Sequence, residues 1–344
     1  MRTKAAVLVE TGKPLEVVEL EVPALKPGQV LVKVLFSGVC HTQLLEARGH
    51  RGPDKYLPHC LGHEGFGEIL EVAPGSRWGK GMQVVLSWMK GDGRDGGGVE
   101  YKWNGKTVNA GPIATFMTTA VLSEDRVSPL SDDRISPAVA AMLGCAVPTG
   151  FGLIFNTLSA HQRQGVAVFG LGGIGLCAVT AAKLAGCSPV VAVDPRGDRR
   201  ALALRLGATH DVTGGAGAVD AIKTLFPKGL DLAVEATGRP EVMKQALAVV
   251  RPRGGAAAIA GNARAGEVVE LDPRELNQGK KLLGTWGGDN EPVRDFPKWA
   301  RLIGERSLDL TPLTEAVYPL ARVNDALADL ESGRAVRPLL DLAA

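Results

Sequence analysis

The sequence predicts an α/β chain in which a β-rich domain is joined to a doubly wound parallel-sheet domain. Three observations carry that prediction. First, Gly165-Val-Ala-Val-Phe-Gly170-Leu-Gly172-Gly173-Ile174-Gly175 reads as a buried strand, a G-x-G-x-x-G turn and a helix start; a second strand, Pro189–Asp194, then ends in an acid. Second, residues 148–289 alternate between strand-like and helix-like patterns. Third, residues 1–147 hold short runs of Val, Leu and Ile broken by Pro and Gly.

Within residues 1–147, Ala5–Val9, Glu16–Leu20, Val30–Leu35 and Phe66–Val72 are the strand candidates, bounded by Pro14, Pro23, Pro27-Gly28 and Pro74-Gly75. No helix of ordinary length is expected before Pro137. Met89–Gly111, Gly-rich and polar, reads as a surface loop. Between 148 and 289 the strands fall at Val166–Phe169, Val190–Val193, His210–Val212, Leu230–Val234, Ala256–Ala260 and Lys281–Thr285. Helices fall between them at Ile174–Ala185, Asp198–Leu206, Ala218–Leu225 and Glu241–Val250. Residues 290–344 carry amphipathic helices near Phe296–Gly304 and Val323–Ser332 and a final strand, Ala335–Asp341. They are expected to return to the first domain. The expected domains are thus 1–147 with 290–344, and 148–289, with a cleft at their junction.

The glycine turn has a chemical reading. Its three spaced glycines, Gly170, Gly172 and Gly175, permit a tight turn, close approach of a pyrophosphate to backbone N–H groups, and close helix–strand packing. Gly173 and Ile174 open the helix at that point. Asp194, about 20 positions after the last glycine, is placed to accept hydrogen bonds from ribose hydroxyls. Gly165–Ala182 is uncharged and imitates a membrane span, but five glycines in its first eleven positions argue for a buried strand–turn–helix.

Lys and Arg number 39 against 37 Asp and Glu, for a net charge of +2, and no long run of either sign occurs. That balance argues against a nucleic-acid partner or a polybasic membrane anchor. The five cysteines (Cys40, Cys60, Cys145, Cys177, Cys187) show no short paired spacing, and Met1-Arg-Thr-Lys-Ala does not read as a signal peptide. Reduced thiols in a cytoplasmic protein are expected.

A second constellation is scattered: Cys40-His41-Thr42, Gly62-His63-Glu64 and Gly144-Cys145. Two cysteines and a histidine suit a catalytic zinc with three protein ligands and an open fourth position. Singly, each has an ordinary reading, a buried Cys as a small hydrophobe and a His beside glycine as a turn residue. Spacing alone does not choose between these.

Taken together and in this order, these motifs with Gly170–Gly175 resemble the zinc-dependent medium-chain dehydrogenase/reductase family, the alcohol dehydrogenases and their relatives, over essentially the whole chain. The resemblance implies a GroES-like catalytic domain and a Rossmann cofactor domain. It implies one catalytic zinc on Cys40, His63 and Cys145, with Glu64 behind the metal and Thr42 hydrogen-bonding the substrate oxygen. It further implies hydride exchange between a nicotinamide and a small-molecule alcohol or aldehyde. His41 and Arg337 match positions that meet the cofactor pyrophosphate, Thr149 lies beside the nicotinamide, and Arg199 lies near the adenosine ribose. Trp286, ending the strand that forms the family's dimer edge, is counted with the cofactor-binding set; a homodimer or homotetramer follows by the same resemblance.

Three departures qualify the match. Residues 89–111 lack the four cysteines of the family's structural zinc, so one zinc per chain is expected. The usual Cys-His-Thr-Asp-x-His run reads Cys40-His41-Thr42-Gln43-Leu44-Leu45, replacing the Asp that orients the zinc-bound His and the His that ends the proton relay. Cys60 precedes His63 by three and is read as a core residue, with a fallback role as ligand. Asp194 favours NAD over NADP, although Arg196, Arg199 and Arg200 follow it in the loop. A zinc-free reductase of polarised double bonds and a non-catalytic dinucleotide-binding protein remain alternative readings at this point. Trp88, Tyr101, Trp103, Phe116 and Trp286 are candidate apolar walls of the substrate site.

Overall fold

Alternating apolar residues dominate the opening of the chain. In the computed structural model, which describes residues 1–130 and 134–343, they form ten strands and one short helix. These are β1 (Arg2–Leu8), β2 (Glu16–Glu21), β3 (Gln29–Gly38), α1 (His41–Ala47), β4 (His59–Cys60), β5 (Glu64–Val72), β6 (Gln83–Ser87), β7 (Val99–Trp103), β8 (Lys106–Gly111), β9 (Thr119–Ser123) and β10 (Val127–Pro129). Strands β1, β2, β7, β8 and β4 close into a barrel. Its interior holds Ala5, Val7, Leu20, Val108 and the fully buried Tyr101 and Phe116. These two aromatics are therefore core residues and not substrate walls. The Tyr101 hydroxyl accepts the Val121 N–H at 2.7 Å.

The stretch Met89–Gly111, expected as a loop, instead contains the β7–β8 hairpin. Val99, Tyr101, Val108 and Ala110 alternate inward. Asn104 (φ 49°) and Gly105 (φ 79°) form the two-residue turn between Trp103 and Lys106. The glycines of the preceding segment mask that alternation in the sequence.

Helices α2 (Pro137–Met142) and α3 (Ala146–Gly152) follow, with Ser136 capping α2 by accepting the Val139 N–H at 3.3 Å. The chain divides into two compact units, Met1–Cys145 with Glu291–Ala344, and Ala146–Asn290. The second unit contains β11 (Val166–Phe169), α4 (Gly173–Leu184), β12 (Val190–Asp194), α5 (Gly197–Leu206), β13 (His210–Thr213), α6 (Ala218–Leu225), β14 (Leu232–Glu235), α7 (Pro240–Val249), β15 (Ala256–Ile259), α8 (Pro273–Asn277) and β16 (Lys281–Gly284). Its six strands lie in the order β13-β12-β11-β14-β15-β16, every pairing parallel. This is the doubly wound order 3-2-1-4-5-6. All four residues of the central strand β11 are buried, as a strand covered by helices on both faces requires.

The first unit is completed by α9 (Pro292–Glu305), β17 (Val317–Pro319), α10 (Val323–Glu331) and β18 (Leu339–Asp341). Its second sheet runs β10-β6-β5-β3-β18-β17, with β9 paired to β3. The last strand is shorter than the expected Ala335–Asp341, because Pro338 has no N–H to give a ladder; its carbonyl instead accepts the Val39 N–H at 2.8 Å. No helix among the described residues is long and apolar enough to cross a membrane.

Candidate active site

Three segments of the first unit deliver the metal-ligating side chains. Cys40 sits just after β3, as the residue preceding α1. His63 immediately precedes β5, and Gly62 before it adopts φ +96°, where a Cβ would stand 2.4 Å from Thr115 Oγ1. Cys145 follows α2, and the preceding Gly144 carbonyl accepts the Ser87 hydroxyl at 2.7 Å. Their ligating atoms all lie within 4.8 Å of one another. Among the described residues no other such group of three occurs.

The donor set fits zinc. Two thiols and an imidazole are its preferred ligands, and tetrahedral coordination brings them about 3.5–3.8 Å apart. His63 Nε2 is buried and faces the Cys40 sulfur, so the nitrogen and the two sulfurs converge on one point. The hydrogen bond from the Cys145 thiol holds Cys40 well below the ordinary thiol range, helped by the Arg337 charge; Cys145, the donor, is pushed well up. Cys60, the fallback ligand, is in the barrel core, where burial raises its thiol to about 12.

Glu64 is fully buried behind the ligands and ion-paired with Arg337, itself 3% exposed. Space for it exists because Gly38 and Gly144 flank it: a Cβ on Gly38 would lie 2.1 Å from Glu64 Oε1, and one on Gly144 2.8 Å from Glu64 Cβ. The hydroxyls of Ser37 and Thr115 both donate to the Glu64 carbonyl at 3.0 Å. Burial pushes the Glu64 carboxyl up against the opposing pull of Arg337. Burial also opposes the charge on Arg337, but Cys40 and Glu64 hold it protonated. Arg337, which the resemblance matches to a pyrophosphate position, is paired here with Glu64. Ser37 and Thr115 carry no motif, and only the sheet register reveals their role.

Thr42 is half-buried in the first turn of α1, its Oγ1 3.8 Å from Cys40 Sγ; His41, at the head of that helix, is exposed. Gln43 is buried. Its Oε1 accepts the Cys40 N–H at 3.1 Å and its Nε2 meets His63 Nδ1 at 2.5 Å. The one acceptor of the Gln43 amide is thus given to Cys40 and not to His63. A cavity of about 610 Å³ is lined by Gln43, His63, Glu46, Asp54, Tyr56 and His59. It is lined by an ion pair, Glu46–Arg51 at 2.9 Å, and by a hydrogen bond between His59 Nε2 and the Asp54 carboxylate at 2.8 Å.

The other expected site residues lie in the second unit. Gly170 (φ +85°) makes the turn, and a Cβ on Gly175 would strike the Gly170 carbonyl oxygen at 1.8 Å. Gly172 faces open space, with nothing within 4 Å of its notional Cβ. Gly173 and Ile174 begin α4, whose N–H groups are available to an anion. Asp194 ends β12, its carboxylate accepting the Leu171 N–H and the Arg196 N–H, each at 2.9 Å. Arg199 is buried in α5, where burial lowers its pKa. Thr149 is buried in α3. Trp286, just beyond the edge strand β16, is 76% exposed.

Comparison with known proteins agrees with this arrangement. The family model for zinc-binding dehydrogenases matches residues 173–305, and that for the alcohol dehydrogenase GroES-like domain matches residues 26–132. The S-(hydroxymethyl)glutathione dehydrogenase of Synechocystis is 30% identical, over 99% of this chain and 100% of that protein. The class-3 alcohol dehydrogenase of Cereibacter sphaeroides is 29% identical with the same coverage. Among solved structures, benzyl alcohol dehydrogenase from Acinetobacter calcoaceticus superposes with a TM-score of 0.88 at 29% identity, over 99% of both chains.

Proposed function

The chain belongs to the zinc-type medium-chain dehydrogenase family, and on that premise we propose that it is a zinc- and NAD-dependent oxidoreductase that interconverts a small-molecule alcohol and its aldehyde or ketone. The observation that carries the reading is the convergence of Cys40, His63 and Cys145 on one point. When bound, a zinc ion there lowers the pKa of an alcohol oxygen, and a nicotinamide takes up or returns the hydride. Cys40, His63 and Cys145 hold the metal, with the Glu64–Arg337 pair fixed behind them. Thr42, beside Cys40, holds the proton of the substrate oxygen through its hydroxyl. Leu45 supplies no imidazole to receive that proton.

In the second unit, the N–H groups of the Gly170–Gly175 turn bind the cofactor pyrophosphate, with Thr149 as a further contact. Asp194 binds the ribose. NAD is favoured because two neighbouring arginines are already engaged, Arg196 with Asp198 and Arg200 with Asp211, both at 2.9 Å. With no cysteine in residues 89–111, we assign one zinc per chain and no structural zinc. All five cysteines are buried thiols, which supports a cytoplasmic setting. Sheet edge β16 is assigned to a homo-oligomer contact.

Primary alcohols head the substrate panel, as the relatives' names suggest. Specificity constants for NAD and NADP across that panel test the reading. NAD is expected to lead by more than about tenfold, about 1.4 kcal/mol. A lead for NADP contradicts the cofactor assignment. Failure to oxidise or reduce any alcohol or carbonyl contradicts the reaction itself.

A further inference from the structure

We propose that Gln43 holds His63 in the ring tautomer that opposes metal binding, so that it lowers the site's affinity for zinc and couples metal loading to the start of α1. The inference rests on the assignment of His63 as a zinc ligand through Nε2.

Gln43 is 1% exposed and lies between two groups it cannot avoid. A backbone N–H only donates, so the Cys40 N–H, 3.1 Å away, claims the one acceptor atom of the amide, Oε1. The amide NH₂ is then left facing His63 Nδ1 at 2.5 Å, and Nδ1 must accept. A neutral imidazole whose Nδ1 accepts carries its proton on Nε2. That is the nitrogen buried against the Cys40 thiol. Ligation through Nε2 needs the reverse, a lone pair on Nε2 and a proton on Nδ1.

A carboxylate at position 43 has two oxygens and serves both donors at once; an amide serves one. Loading the metal therefore obliges the Gln43 amide to turn over. Oε1 then accepts from Nδ1–H and is withdrawn from Cys40, and α1 loses its side-chain acceptor at the N-terminus. A cavity lined by Gln43 and His63 borders the same two groups.

The test compares zinc affinity, by chelator competition, with the His63 tautomer in the zinc-free chain, by ¹⁵N nuclear magnetic resonance. In the wild type the proton is expected on Nε2. In Gln43→Glu it is expected on Nδ1, with zinc bound at least about tenfold more tightly. Deleting an outer partner of a metal-bound histidine ordinarily weakens binding about 10–100-fold. Gln43→Ala is expected to bind zinc at least as tightly as the wild type, because water then accepts from Nδ1–H. Should Gln43→Ala fail to fold, the wild-type spectrum and Gln43→Glu, which keeps the capping acceptor, decide the matter. A proton on Nδ1 in the zinc-free wild type overturns the proposal, as does a tenfold loss of affinity in folded Gln43→Ala. A wild type that binds no zinc would instead remove the ligand assignment, while the tautomer of the zinc-free chain still tests the role of Gln43.

Discussion

In the second unit, the glycine turn is a single run of consecutive residues, Gly170–Gly175. In the first, the metal-ligating cluster draws side chains from positions 40, 63 and 145. In the glycine turn, packing dictates two positions: Gly170, with positive φ and a notional Cβ 2.5 Å from Thr237 Cγ2, and Gly175, against the Gly170 carbonyl. The third, Gly172, has open space on the side where a Cβ would stand, and packing does not require a glycine there. In the cluster the glycines play another part: Gly38 makes room for the Glu64 carboxylate, and Gly144 sits against the Leu86 carbonyl and the Glu64 Cβ. One site is thus written locally in the chain, and the other is assembled by sheet topology.

That contrast predicts different kinds of damage. The largest effect is expected from Cys145→Ala. Zinc should fall from one per chain to near zero and turnover by about 10³-fold or more, since metal polarisation is worth several kcal/mol. Elemental analysis and initial rates check both. Retention of zinc and rate would detach Cys145 from the site.

Within the glycine turn the effects should separate. Gly175→Ala must displace backbone and is expected to lose about 1–3 kcal/mol of stability in urea unfolding. Gly172→Ala should leave stability within about 0.5 kcal/mol, yet raise the KM for NAD by roughly tenfold, because its methyl occupies the open face. Equal stability losses in the two variants would erase the distinction between packing and ligand glycines.

The smallest effect is expected far from both sites. Gly105→Ala places a side chain at φ +79° in the β7–β8 turn and should cost about 1 kcal/mol of stability with kcat unchanged.

The same contrast explains what the sequence made legible. The second unit could be read nearly residue by residue, because β11 is a continuous apolar run and its turn and terminal acid follow at fixed offsets. The first unit was less legible. The Asn104-Gly105 turn was obscured by the glycines preceding it, and β6, β9 and β10 lack strong punctuation. Cys40, His63 and Cys145 were recognisable only as a set, since nothing in the spacing of three separated residues brings them together. The pairing of Arg337 with Glu64 joins residues far apart in the chain and could not be read from either motif. Gln43 was visible as a replacement, but which donor its oxygen serves depends on the Cys40 backbone at the head of α1.

The measurement that tests the account most directly is zinc per chain, determined alongside alcohol turnover before and after exhaustive chelation. The account predicts a value near one, loss of turnover when the metal is removed, and recovery on adding zinc back. Full turnover in protein with zinc near zero would contradict it and would direct the substrate search to enones and quinones.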